Sequence, residues 1–425
     1  MANLLVIESW VRSVGLILPR KLRELGHRYT FVSRKPEHYT GWAQGAGLLG
    51  SGAEPHPLIA LADEVFVAET NDVERLVAAL EPLHRERAFD GVLTCCDYYL
   101  ETAAQVADAL GLPGPSPSAL RVARQKHLMR EACRRAGLPG PRFLATGDVE
   151  AALGFAREVG YPVVAKAVDL CASEDVVAAH GDEELRAAFT RIAGPTTNIR
   201  GQQRPPVVLV EEFLHGEEFS VETCSYRGET VVVGVTDKSL VGYPHFIESG
   251  LMHPAELPQA TTRLLSDFVR QALSAVGYGH GLAHTELKLT AQGPRIVEIN
   301  ARMGGSYLFD VVQLVTGVDF FTALIDLALD RAPQVTPRPT GIQSAAVRFL
   351  LPPRGGRVVN VEGQEEIRRD PDIHRLVVDD ILGKTLRPPQ DNNDFIGHVI
   401  ATDRQGHGAR RKAEWASERL RLGLE

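Results

Sequence analysis

The 425-residue chain is short of several things, and each shortage excludes a class of protein. It has five cysteines, an odd number, with no C-x-x-C pair, so neither a disulfide framework nor a zinc site of the usual spacing is expected. Cys95 and Cys96 close an apolar run and read as strand-end residues. No apolar run approaches the roughly 20 residues that a membrane helix needs. Met1-Ala2-Asn3-Leu4-Leu5-Val6-Ile7-Glu8 lacks the basic start and cleavage site of a signal peptide and reads as a strand. Positive charge is not in excess: the net charge is -8, which argues against a general nucleic-acid or anionic-membrane binder. A cytoplasmic protein with no nucleic-acid and no membrane partner is expected. No glycine fingerprint follows the first strand, where Glu8-Ser9-Trp10-Val11-Arg12-Ser13-Val14-Gly15 stands, so a dinucleotide site is not expected.

What is present is ample apolar content, 44%, and a length sufficient for about three domains. The first stretch alternates strand and helix: Leu4 to Ile7, Val14 to Leu25 ending at Gly26, Tyr29 to Val32, Glu64 to Val67, an Asn71-capped helix to Leu83, then Gly91 to Thr94 and a helix to Leu110. This βαβ pattern predicts a parallel sheet covered by helices. The proline-rich run Gly111 to Pro117 marks a linker. Beyond it come strands at Val163 to Ala167, Val176 to Ala179, Val207 to Glu212, Glu217 to Tyr226 and Thr230 to Val235, with helices between. The polar, proline-containing segment 194–206 is expected to be mobile, and Ala332 to Thr340 marks a second boundary.

The most informative stretch is a second acidic hairpin, Leu282-Ala283-His284-Thr285-Glu286-Leu287-Lys288-Leu289 followed by Arg295-Ile296-Val297-Glu298-Ile299-Asn300-Ala301-Arg302. Both arms alternate with period two, and Gln292-Gly293-Pro294 reads as the turn. Pairing centred on Gln292 sets Glu286 opposite Glu298, with Asn300 and Arg302 on the same face. Like charges directly opposite destabilise a sheet, so two carboxylates and an amide there suit a cation such as magnesium and the phosphates it carries. The plainer alternative is two solvated glutamates on an edge hairpin. Lys166 closes the apolar run Tyr161-Pro162-Val163-Val164-Ala165-Lys166, and Lys126 precedes a helix. Each alone reads as a solvated lysine, yet two such lysines can clamp one polyphosphate. Leu209-Val210-Glu211-Glu212-Phe213-Leu214 and Gly216-Glu217-Glu218-Phe219 form a strand, a break and a strand. An apolar base fits against such a break, and Glu218 beside it suits ribose hydroxyls; an acidic hairpin is the alternative.

In this order, Lys126, Tyr-Pro-Val-Val-Ala-Lys166, Val-Glu-Glu-Phe-Leu-x-Gly-x-Glu218, Glu286 and Glu298-Ile-Asn300-Ala-Arg302-Met-Gly304-Gly305 resemble the ATP-grasp ligases. Pro244-His245-Phe246-Ile247-Glu248-Ser249-Gly250 and Ala283-His284-Thr285-Glu286 are similar to the carboxylate–amine ligases of that superfamily, the L-amino acid ligases that make dipeptides. The resemblance implies an α/β, α+β overall, ATP-grasp fold in three parts. These are an N-terminal Rossmann-like domain over 1–113, an ATP-grasp domain over 114–334 split near 194–206, and a C-terminal closing domain over 335–425.

The resemblance also implies roles. Lys126, Lys166 and Ser173 would contact ATP phosphates; Glu211, Glu212, Phe213 and Leu214 would form the adenine hinge; Glu218 would hold ribose. Glu286, Glu298 and Asn300 would carry Mg2+ or Mn2+, and Arg302 would stabilise the transferred phosphate. Glu248 would face a substrate amine and Lys238 a substrate carboxylate, with His284, Arg302, Gly304 and Gly305 at the substrate. Phe246, Met303 and Tyr307 are further pocket candidates. An ADP-forming enzyme is implied, joining a small carboxylate and an amine, both amino acids, through an acyl phosphate. A homodimer is common in such families. The alternatives are a thiol acceptor on a carrier protein docked at the basic helix around Arg410-Arg411-Lys412, and an ATP-binding scaffold without turnover. Two departures stand out: the segment Asp169-Leu170-Cys171-Ala172-Ser173-Glu174-Asp175 lacks the usual glycines, and Leu251 stands where relatives place a histidine, the next being His253.

Overall fold

The computed structural model describes residues 1–39 and 55–425. The chain opens with a parallel four-stranded sheet in the order Glu64–Val67, Arg28–Ser33, Asn3–Ile7, Gly91–Leu93. Its strands read as continuous apolar runs because both faces are covered. Leu5, Ile7 and Val32 share a core with Leu76, Leu80 and Val106, while Leu4, Val6 and Phe31 share another with Leu18 and Leu22. The helix Val73–Arg87 is capped by Asp72 rather than Asn71, through the Arg75 amide. Asn71 is drawn into tertiary contacts instead: it accepts from the Tyr99 hydroxyl and donates to the Arg200 carbonyl.

A second, antiparallel sheet runs Phe143–Thr146, Val208–Glu212, Val163–Ala167, Val177–Ala179, with helices Val149–Val159 and Asp182–Ala193 packed on it. The third and largest is antiparallel throughout, in the order Gly293–Asn300, Gly281–Thr290, Glu217–Tyr226, Glu229–Val241, Ile247–His253, Ser344–Leu350, Gly397–Asp403, Ile373–Val378. Its last three strands come from beyond residue 335, so one sheet runs through the second boundary. Three short strands, Thr385–Leu386, Gly356–Glu362 and Arg421–Leu424, pair with one another and complete the C-terminal part.

Several expectations are corrected. The sequence marks no strand over 247–253, yet Ile247–His253 forms one, because Glu229–Val241 on one side and Ser344–Leu350 on the other both offer it backbone partners. The segment 194–206 is pinned rather than loose. Arg200 is buried and donates to the Ser9 carbonyl at 2.6 Å, and Gln202 donates to the Tyr98 carbonyl at 2.9 Å. In the first turn of the C-terminal helix Ala409–Arg419, Arg410 pairs with Asp237 and Lys412 with Asp372 and Asp403, while Arg411 is exposed. Helices Leu308–Thr316 and Phe320–Ala328 meet at 101° and bury their apolar faces in the core. Among the described residues, no single helix is long and apolar enough to cross a membrane. The five cysteines are free.

Candidate active site

The hairpin Gly281–Thr290, Gly293–Asn300 sets Glu286 opposite Glu298, as the alternation predicts, but by a different route. The turn is tighter than expected: Thr290 pairs with Gly293, and Gly293-Pro294 belong to the strand. The register then slips by one residue at Val297, where a bulge brings Glu298 back opposite Glu286. Arg130 donates to the Val297 carbonyl at 2.8 Å, so the bulge is satisfied from a neighbouring helix.

The two carboxylates lie in a cavity of about 570 Å³ between the small antiparallel sheet, the large sheet and the first domain. Of the predicted site residues, Lys126, Lys166, Ser173, Glu211, Glu212, Phe213, Leu214, Glu218, Lys238, Glu248, His284, Glu286, Glu298, Asn300, Arg302 and Gly305 all line it. Gly304 does not; it packs beside Leu308, whose side chain would collide with any Cβ there. Phe246 and Met303 line the cavity, whereas Tyr307 stacks on His398 at 3.8 Å.

At one end, positive charge gathers. Lys126 begins the helix Lys126–Arg135 and reaches the Leu170 carbonyl at 2.7 Å and Glu298 at 3.0 Å. Lys166 contacts Glu211 at 2.5 Å, and Arg130 grips the same carboxylate through Nε and Nη2. Burial pushes the Glu211 carboxyl up, but Arg130 and Lys166 outweigh it and hold it at about 2. Burial lowers Lys166 below the ordinary lysine range; Glu211 offsets only part, and Arg130 and Lys126 repel it further. Two cations thus share one carboxylate, and a phosphate would neutralise the remainder. Glu211 spends its side chain on this pair. Phe213 and Leu214 lie in the break before Glu217–Tyr226, with the Lys288 ammonium 5.7 Å from the Phe213 ring and 5.9 Å from that of Phe246. Glu212 accepts from the Arg142 amide at 3.1 Å.

The segment 169–175 lies over this end. Ala172, Ser173 and Asp175 adopt left-handed backbone conformations that glycine would take without steric cost, so the loop follows a glycine-like path with other residues. Arg204 pairs with Asp169 in the interior.

At the other end, negative charge gathers. Lys238 contacts Glu286 at 2.5 Å and Glu218 at 3.6 Å. His284 sits between Glu222 at 2.7 Å and Glu286 at 3.0 Å. Burial disfavours its charge, but the two carboxylates outweigh burial and raise it to about 9. Glu286 is partly buried, and Lys238 and His284 outweigh burial and hold it well below the usual carboxylate range. Glu248 and Glu218 are pushed up by burial, which Lys238 offsets only in part. Glu248 and Leu251 share the cavity face because Ser249 is bulged out of the pairing with Ser239–Leu240. His253 is no substitute for the missing histidine. It is buried against Gly234, bonded to Thr236, and lowered to about 4 by burial.

The donor set fits a hard divalent cation: two opposed carboxylates and the Asn300 amide, which donates to Glu298 at 3.0 Å. Five residues escaped sequence reasoning. Arg130 lies four residues after Lys126 on one helix face, and Glu222 alternates with Glu218 on its strand, so both carried a periodic signal. Trp10, Asp97 and Asn392 carried none; they reach the cavity from other domains.

The chain has the ATP-grasp fold. Residues 159–310 match the ATP-grasp domain family, and residues 21–114 match the ATP-grasp N-terminal domain. Residues 348–425 match the L-amino acid ligase C-terminal domain 2. A solved L-amino acid ligase from Bacillus licheniformis superimposes with a TM-score of 0.80 over 100% of this chain and 99% of that one, at 22% identity. Carnosine synthase 1 of Gallus gallus is 31% identical over 359 residues, 79% of this chain and 36% of its own length. Alanine–anticapsin ligase of Bacillus subtilis is 27% identical over 263 residues, 56% of this chain and 54% of its own. The chain therefore spans about a third and about half of these two relatives.

Proposed function

We propose that this protein is an ADP-forming ligase that joins the carboxylate of one amino acid to the amine of another. One observation carries the reading. A single cavity joins a wall with surplus cations to a wall with surplus carboxylates; the Glu286–Glu298 pair bridges them, Glu298 on Lys126 and Glu286 on Lys238, and Arg302 lines the same cavity. The first wall suits a polyphosphate; the second suits an ammonium group and a metal ion.

In this reading Lys126 and Lys166 hold the ATP phosphates. An oxygen of the substrate carboxylate bonds to the γ-phosphorus as the β–γ bridge breaks, releasing ADP and leaving an acyl phosphate. Arg302 offsets the charge on the phosphoryl oxygens. Glu286, Glu298 and Asn300 would hold magnesium, which when bound draws charge from the phosphate oxygens. Glu248 orients the incoming amine. Once an ammonium proton has passed to water, its neutral nitrogen bonds to the acyl carbon, the bond to phosphate breaks, and the departing phosphate takes the second proton to leave the amide. Segment 169–175 and Asn392, which donates its amide to the Ala172 carbonyl and accepts from the Glu248 amide, screen the intermediate from water.

The test is phosphate release from ATP and magnesium across amino acids, singly and in pairs, with nucleotide and product identified by mass spectrometry. ADP formation that requires two amino acids together, with a dipeptide as product, is the expected result. AMP formation would overturn the acyl-phosphate mechanism, and a thioester product would move the acceptor to a thiol. Arg410 and Lys412 are paired internally, which leaves Arg411 as the exposed charge of that first turn for an acidic carrier.

A further inference from the structure

We propose that Asp97 is a positioning residue for Arg302, held in place by Trp10 and, through it, by Arg200 of the segment 194–206; the proposal rests on the ligase reading above. Arg302 donates from Nε to Asp97 Oδ1 at 2.6 Å and from Nη1 to the Met303 carbonyl at 2.9 Å. Both contacts fix the plane of the guanidinium and leave Nη2 without a protein partner among the described residues. The second oxygen of Asp97 accepts from the Trp10 indole nitrogen at 2.9 Å. Asp97 is buried, and a buried carboxylate with both oxygens engaged has one orientation.

The geometry links the first domain to the large sheet. Asp97 stands just beyond the strand Gly91–Leu93 of the first domain, Trp10 just beyond Asn3–Ile7, and Arg302 just beyond Gly293–Asn300 of the large sheet. The Arg200 guanidinium lies 5.5 Å over the Trp10 ring and donates to the neighbouring Ser9 carbonyl. Arg200 belongs to the connection leading into Val208–Glu212, the strand whose Glu211 holds Lys166. Its own carbonyl accepts from Arg34 at 3.0 Å and Asn71 at 2.9 Å. Seating the small sheet against the first domain therefore makes the Arg200–Trp10 contact, and Trp10 in turn orients Asp97 and Arg302. The group that meets the transferred phosphoryl is thereby aligned when the wall carrying Lys166 is in place.

Asp97→Asn keeps the shape and removes the charge; Trp10→Phe keeps a ring under Arg200 and removes the indole N–H. The full chain is titrated with ADP and magnesium, with and without aluminium fluoride as a mimic of the phosphoryl group in flight. ADP binding by the parent reports on the ligase reading, and the variant-to-parent ratio reports on Asp97. In Asp97→Asn the tightening produced by fluoride should fall by about tenfold or more, with ADP affinity alone little changed; Trp10→Phe should lose about threefold, and Asp97→Glu should recover part. Variants that keep the full fluoride-dependent tightening would overturn the proposal. So would variants that lose ADP affinity in equal measure, because that is the signature of a purely structural role.

Discussion

The two ends of the cavity are built from similar ingredients and differ in their balance. At the end facing the small sheet, Arg130, Lys166 and Lys126 surround Glu211 and Glu298, and cations exceed carboxylates. At the end facing Ile247–His253, Lys238 and protonated His284 lie among Glu218, Glu222, Glu248 and Glu286, and carboxylates exceed cations. Burying unbalanced charge is costly, so under the proposed function each surplus suits a ligand: phosphate at one end, ammonium and metal at the other. The contrast also separates residues that hold the site from residues that meet ligands. Glu211 and Glu222 are spent on protein partners, while Glu248 has no ion-pair partner within 4 Å among the described residues.

Substitutions can break this contrast in a graded way. Glu298→Gln should have the largest effect, lowering turnover by about 10³-fold while the melting temperature holds, because it removes the charge between the two ends. An active Glu298→Gln protein in the phosphate-release assay would sink the metal assignment. Arg130→Met should lower the unfolding free energy by about 3 kcal/mol in denaturant titration, since Glu211 and the Val297 carbonyl lose a buried partner. Glu211→Gln in that background should regain part of the loss. Glu248→Gln should raise KM for the amine substrate by about tenfold with KM for ATP unchanged, which separates the ends kinetically; equal changes in both would erase the distinction.

A further contrast concerns pH. His253 has a folded value of about 4 against an ordinary 6.5, so the unfolded chain binds the proton first as pH falls. Its contribution is fully present above about 6.5 and is lost as pH drops toward 4, with a slope of at most about 1.4 kcal/mol per pH unit. His253→Gln should flatten the stability profile in that window. Parallel profiles for parent and variant would assign the acid sensitivity elsewhere.

Much of the site was legible because strands and helices repeat with fixed periods. Alternation put Glu286, Glu298 and Asn300 on one face, and the run into Lys166 marked a strand end. The turn was placed wrongly and the pairing still came out right, since the bulge at Val297 cancels the shift of one residue. Bulges leave little trace in a pattern of polar and apolar residues, and Ser249 is a second case. The strand Ile247–His253 was missed because its partners, Glu229–Val241 and Ser344–Leu350, make it a strand by pairing, whatever its local composition. Segment 194–206 looked loose because its anchors, Ser9 and Tyr98, lie about a hundred or more residues away in the chain.

By itself the amino-acid order determined the local elements, the covered parallel sheet of the first domain, and the chemical types gathered at the site, because these depend on periodicity and on side chains a few residues apart. Only the tertiary structure decided which charges are spent on one another, as Arg130 and Lys166 are on Glu211. It alone set Asp97 against Arg302 across 205 residues and one sheet through 217–403. Those outcomes depend on distances of a few ångströms between distant segments, and electrostatic energy falls off over that same range, so no pattern along the chain encodes them.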